Sequence, residues 1–188
     1  MFENIDIKKV KEELRNHSKN YRENFAKIEK FIETEKITTD LFRPFGDLLK
    51  LKNIPDMMIN QGMCARHHDL AKLEFEKGGK PGISLFSAEP RELPYKLEMM
   101  ERHPKGSQAF IPMHAQPFLV IVAMDDAGVP ARPNAFFTEP HIGINFHKNV
   151  WHGVLTPIHS PGIFAVIDRI ASDKNLEEHW FKFPYTII

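Results

Sequence analysis

The chain is 188 residues long, 42% apolar and 27% charged, a makeup that suits one soluble domain plus an extension. Its 25 acidic and 25 basic residues cancel, and no run of Lys and Arg interleaved with aromatics stands out, which argues against nucleic acid or an anionic membrane as a partner. The single cysteine, Cys64, excludes an internal disulfide and fits a cytoplasmic, reducing setting. The first residues are charged and lack a signal-peptide core, and the longest apolar run, Phe118 to Met124, falls short of the roughly 20 residues that span a bilayer.

Residues 5 to 36 read as helix. Val10, Leu14, Tyr21, Phe25, Ile28 and Phe31/Ile32 recur at helical spacing with Lys and Glu between them, while Asn16, His17 and Ser18 weaken the middle. We take residues 1–40 as a helical arm that packs on the domain or on a partner subunit. From Leu41 onward the texture changes. Ile83 to Ala88, Leu97 to His103, Gln108 to Met113, Pro117 to Met124, Gly143 to His147 and Phe164 to Ile170 suit strands, with turns at Gly78-Gly79, Pro104 to Gly106, Asp125 to Gly128 and Ser160 to Gly162. Many short strands without interposed helices imply an all-β barrel or sandwich over residues 41–170. Phe86, Phe110, Phe118, Phe136 and Phe146 are its expected core. Residues 171–188 end in Trp180, Phe181, Phe183 and Tyr185, an aromatic surface expected to cover a groove of the same or a neighbouring subunit.

The chemistry concentrates between Glu101 and Met113. On a strand, Glu101 and His103 point to one face, Pro104 and Gly106 turn the chain, and Gln108 begins the next strand. His152, after a later strand, offers a second imidazole. Glu-x-His-x4-Gln with a distant His is a degenerate form of the cupin metal pattern. Two imidazoles, a carboxylate and a neutral oxygen can hold a divalent transition metal such as Ni, Zn or Mn, or move protons. Around them, Asn145, His147 and Trp151 are expected to line the same pocket. Arg66 is a candidate partner for a substrate carboxylate, with Asn60 and His68 nearby in sequence and His68-Asp69 a possible oriented pair. Cys64 is expected to be a small buried residue, and Asp168-Arg169 a structural ion pair. His17, His67, His114, His141, His159 and His179 show no partner in sequence and are expected to be mostly exposed.

Several blocks together resemble the ureidoglycolate lyase family of purine (allantoin) catabolism, also called ureidoglycolate hydrolase. They are Phe45-Gly46-Asp47-Leu48-Leu49, Ile59-Asn60-Gln61-Gly62, His68-Asp69-Leu70-Ala71, Glu101 to Met113, Pro117 to Ala123, Gly143 to His152 and Asp168-Arg169. They fall in the family's order over roughly residues 42 to 170. The resemblance implies a cupin-type, jelly-roll-like β-barrel, commonly a homodimer, that splits ureidoglycolate into glyoxylate and urea. The helical arm and the C-terminal segment are expected to lie outside the family pattern, and Asn60-Gln61-Gly62 replaces the more usual Asn-Asn-Gly. Two other readings stand beside it. One is amide hydrolysis of the same substrate with release of ammonia; the other is a non-catalytic cupin that binds a small carboxylate. A dioxygenase or sugar isomerase shares the fold but usually carries more histidines at the barrel mouth.

Overall fold

A computed structural model describes residues 30–188. It opens with two short strands, β1 (Phe31–Ile32) and β2 (Thr34–Lys36), then one helical turn, α1 (Thr39–Phe42), capped by the Thr38 side chain. β3 (Gly46–Leu49) follows, then a hairpin of β4 (Met57–Ile59) and β5 (Cys64–Arg66). The long strands are β6 (Lys80–Ser87), β7 (Tyr95–Arg102), β8 (Gln108–Pro112) and β9 (Phe118–Ala123). After a small hairpin of β10 (Asp125–Asp126) and β11 (Val129–Pro130) come β12 (Asn134–Phe137), β13 (Gly143–Phe146), β14 (Trp151–His152) and β15 (Thr156–Pro157). The long β16 (Ile163–Ile170) and β17 (Glu177–Ile187) end the chain. The expected all-β class holds.

Two sheets carry the architecture. The larger runs β1-β17-β7-β14-β9-β12-β2, with β15 also on β9; the smaller runs β3-β13-β8-β16-β6. Only Glu33 separates the two edge strands β1 and β2, so the larger sheet curls until its edges meet. Thr34 N donates to Ile188 O at 2.8 Å, and Ile188 N donates to Ile32 O at 2.9 Å. This closure leaves few unpaired strand edges. It also makes a nearly closed, barrel-like wall.

β9 shows why its sequence is a continuous apolar run rather than an alternating one. Phe118, Val120 and Val122 enter the core between the two sheets, while Leu119, Ile121 and Ala123 enter a second core inside the curl. A strand buried on both faces has no polar face to show. The smaller sheet contributes Phe110, Ile144, Phe146, Phe164 and Val166 to the first core, together with Phe118, Phe136 and the partly buried Phe86. The five phenylalanines expected in the core are there.

The described residues correct two expectations. The helix read over 5–36 does not include its last six residues: Phe31–Ile32 and Thr34–Lys36 are strands, and the remainder lies outside the described residues apart from Lys30. Tertiary pairing with β17 and β12 overrides the local helical spacing. Within its own subunit the C-terminal segment is a sheet member rather than a groove cover; most of it is β17, an eleven-residue strand antiparallel to β7. Its aromatics split, with Phe181 and Tyr185 packed on the inner core and Trp180 and Phe183 outside.

Gly46 shows how tightly β3 sits. A Cβ there would lie 2.0 Å from the Asn145 carbonyl oxygen and 2.9 Å from the Phe42 ring. Gly46→Ala is therefore expected to destabilise the fold by about 1–3 kcal/mol, read as a lower midpoint in denaturant unfolding; an unchanged midpoint would show that β3 shifts freely.

Candidate active site

The site lies where β14 pairs with β7, against β13 of the smaller sheet. On β7, Glu101 pairs in register with His152 of β14, and His103 follows two residues later on the same face. The Glu101 carboxylate, one His103 ring nitrogen and one His152 ring nitrogen lie within 4.8 Å of one another, which is metal-ligand spacing. The imidazole centroids are 5.3 Å apart. From the smaller sheet, Phe146 of β13 stacks flat on His152, with centroids 4.3 Å apart and an interplanar angle of 6°. Gln108 of β8 pairs in register with Phe146, and its side chain is buried. Glu101, His103 and His152 thus meet from β7, the turn after it and β14, while Gln108 stands on β8 of the smaller sheet, opposite Phe146.

Hydrogen bonds fix the tautomer of each imidazole. His103 Nδ1 lies 2.7 Å from the Asn175 carbonyl oxygen, and His152 Nδ1 lies 3.0 Å from the Gly153 carbonyl oxygen. A carbonyl only accepts, so both Nδ1 atoms carry the proton and both Nε2 lone pairs are free. Each Nε2 is buried without a protein partner. Such orphaned acceptors suit a metal ion or a donor group of a substrate. Burial, aided by His103, holds His152 down at about 3, so it stays neutral. Burial raises the Glu101 carboxyl above the usual carboxylate range, with His103 opposing that shift and Glu178 reinforcing it.

Other expected residues sit elsewhere. Asn145 and His147 meet around Asp47: Asn145 Nδ2 donates to Asp47 Oδ2 at 3.0 Å, and His147 Nε2 is 3.3 Å from the same oxygen. Because Ile144 and Phe146 fill the core, Asn145 between them occupies the opposite face of β13, beneath Lys72. Trp151 likewise faces away from His152. It enters the inner core, donates to Asp125 Oδ1 at 2.8 Å and lies under the Arg102 guanidinium. Arg66, Asn60 and His68 are exposed on and beside the β4–β5 hairpin, where Arg66 Nη2 and His68 Nδ1 are 3.1 Å apart. Asn60 and Gln61 adopt positive φ in its turn. Those contacts do not join Arg66, Asn60 or His68 to the cluster.

Three smaller expectations change. Cys64 is exposed, since nothing in the described chain covers its hairpin. Asp168 and Arg169 do not pair, because neighbours on a strand point to opposite faces. Arg169 reaches Asp173 at 2.9 Å and two backbone carbonyls of the 76–77 loop, while Asp168 meets Gln108. Of the histidines for which the sequence shows no partner, His141 and His159 are exposed, whereas His67, His114 and His179 are partly buried; His17 lies outside the described residues.

Two residues escaped the sequence reading. Asn175 anchors the turn after β7, its carbonyl accepting from His103 Nδ1 and its side-chain oxygen accepting from Lys105 N at 2.7 Å. No local signal marks it, since the contact spans more than 70 residues. Asp168 was legible: it continues the inward alternation of Phe164 and Val166, so period two already placed a carboxylate on the inner face.

With this geometry in hand, the comparisons agree. The ureidoglycolate lyase family pattern matches residues 29–188, which brings β1, β2 and the C-terminal strand inside the family rather than outside it. A protein named ureidoglycolate lyase from Rhodobacter capsulatus is 52% identical over 153 residues, covering 81% of this chain and 95% of that protein. Ureidoglycolate lyase 2 of Rhizobium meliloti is 49% identical over 147 residues, covering 78% and 90%. A ureidoglycolate lyase of Chelativorans sp. is 46% identical over 159 residues, covering 83% and 95%. The chain belongs to the ureidoglycolate lyase family.

Proposed function

We infer that this protein is an enzyme that cleaves ureidoglycolate to glyoxylate and urea. The observation that carries the reading is the partly buried Glu101–His103–His152 cluster, in a chain whose relatives bear that activity in their names. The substrate has a hydroxyl and a ureido nitrogen on one carbon, beside a carboxylate. Cleavage removes the hydroxyl proton, forms the glyoxylate carbonyl, breaks the C–N bond and protonates the departing nitrogen. Glu101, made more basic by burial, suits the proton acceptor. His152, held neutral, suits a ligand better than a base.

The cluster fits a divalent transition metal such as Ni, Zn or Mn: two free Nε2 lone pairs and a carboxylate at ligand spacing, with the buried, unpartnered Gln108 Oε1 as the fourth candidate. Such an ion would act as a Lewis acid and as a template for the carboxylate and hydroxyl. Elemental analysis and activity before and after chelation test its presence. Arg66, Asn60 and His68 suit a substrate-facing role only if their exposed hairpin closes over a cavity; Asn145, His147 and Trp151 suit support of the site from behind.

The reading is tested with purified protein and racemic ureidoglycolate. Glyoxylate and urea should appear in equal amounts. Ammonia in place of urea would identify an amidohydrolase, and no glyoxylate even with added metals would identify a binding protein. Asn175→Ala keeps the carbonyl that holds His103 but removes the Oδ1 that fixes Lys105 N; the loosened turn should lower turnover by about tenfold, with a nearly native unfolding midpoint, and native turnover would show that the backbone carbonyl alone suffices.

A homodimer fits the outer face of the smaller sheet, where Ile83 and Leu85 are 78% and 69% exposed beside an apolar groove of about 370 Å³ lined by Leu49, Leu51, Leu73 and Ile111. Light scattering of a purified sample would give twice the chain mass, and a monomer would remove the dimer. A cytoplasmic location agrees with the exposed, unpaired Cys64; cell fractionation checks it. Among the described residues no helix is long and apolar enough to cross a membrane.

A further inference from the structure

The smaller sheet carries a buried carboxylate oxygen that the cluster does not use. Asp168 follows Phe164 and Val166 on the inner face of β16, and its Oδ2 accepts from Gln108 Nε2 at 3.5 Å. That contact turns the Gln108 amide so that Oε1 is its free atom. Gln108 Oε1 and Asp168 Oδ1 are then both buried with no protein partner. Asp168 is not among the three residues at ligand spacing, so its free oxygen needs some other donor.

An ionised carboxylate only accepts hydrogen bonds, so whatever satisfies Oδ1 carries N–H or O–H groups. Glu101, His103 and His152 stand on the larger sheet, Gln108 and Asp168 on the smaller one, and Phe146 bridges them through its stack on His152 and its register with Gln108. A substrate carboxylate would be repelled by Asp168; a ureido group, rich in N–H donors, would be held. We propose that Asp168 is a specificity-determining residue whose Oδ1 accepts the ureido N–H groups of the substrate, while its Oδ2 keeps Gln108 Oε1 turned toward the centre. This rests on ureidoglycolate being the substrate.

The products separate the two ends of the site. Urea should inhibit the wild-type enzyme through Asp168, and glyoxylate through the cluster. In Asp168→Asn the inhibition constant of urea should rise about tenfold or more, while that of glyoxylate stays within about twofold. KM for ureidoglycolate should rise with urea's constant. An unchanged urea constant, an equal rise for both inhibitors, or a wild type that urea does not inhibit would overturn the assignment. The unaltered enzyme gives a further check, because tetramethylurea has no N–H and should inhibit more weakly than urea; equal inhibition overturns the assignment. A wild type that forms no glyoxylate at all would instead remove the substrate reading beneath it.

Discussion

His103→Ala is expected to lower kcat/KM for ureidoglycolate by about a thousandfold. His103 sits between the other two groups of the cluster. Its ring is 5.3 Å from that of His152, and it opposes the upward shift that burial gives the Glu101 carboxyl. Removing it takes away one free Nε2 and leaves the Asn175 carbonyl without its donor. The loss should fall on kcat as well as on KM, because an orienting and ligating group acts throughout the reaction. His103 lies at the barrel mouth, half-buried, so the variant should still fold; its thermal unfolding measured beside its activity separates the two effects. A His103→Ala enzyme with near-native kcat/KM would dismiss the cluster as the centre of the chemistry.

The second large effect concerns acid. In chelator-treated protein, stability should fall steadily as pH drops from 6.5 toward 3. Over that interval the unfolded chain holds a proton on His152 and the folded chain does not, because burial keeps the folded value at about 3. The unfolded state therefore binds more protons, and stability rises with pH across the window. With His152 only 2% exposed, the full loss is on the order of a few kcal/mol, a large share of the roughly 5–15 kcal/mol typical of a domain. Asp173, held down to about 2 by Lys105 and Arg169, adds a loss of the same sign below its ordinary 3.8. Glu101 acts oppositely: its raised carboxyl favours the folded state at low pH and loses that contribution as pH climbs above 4.5. His152→Phe keeps a ring against Phe146 without the titrating nitrogen, so its stability curve should be flatter between pH 6.5 and 3. Parallel curves for the two proteins would show that His152 is not the acid-sensitive group.

The extent to which the site was readable follows from how far apart its parts are in sequence. Glu101, His103 and the turn before Gln108 lie within eight residues, and strand alternation alone put the first two on one face. His152 joined them through the motif around it, and the register Glu101 opposite His152 bears that out. The same alternation, applied one residue either way, would have turned Asn145 and Trp151 away from the cavity: each neighbours a residue, Phe146 or His152, that does face it. Proximity in sequence was mistaken there for proximity in space. Asp168 was a missed application of the same period.

By itself the sequence determined the all-β class, the main strands and their turns, the aromatic core and the pairing of a carboxylate with two imidazoles, because these depend on local periodicity and on short motifs. Tertiary structure alone decided that Phe31 to Lys36 are strands, that the last residues form a sheet member beside β7, and that Asn175 aligns His103. The physical reason is that strand pairing draws its hydrogen bonds from partners that can be a hundred residues away, so the chain around such a segment carries little record of the neighbour that holds it.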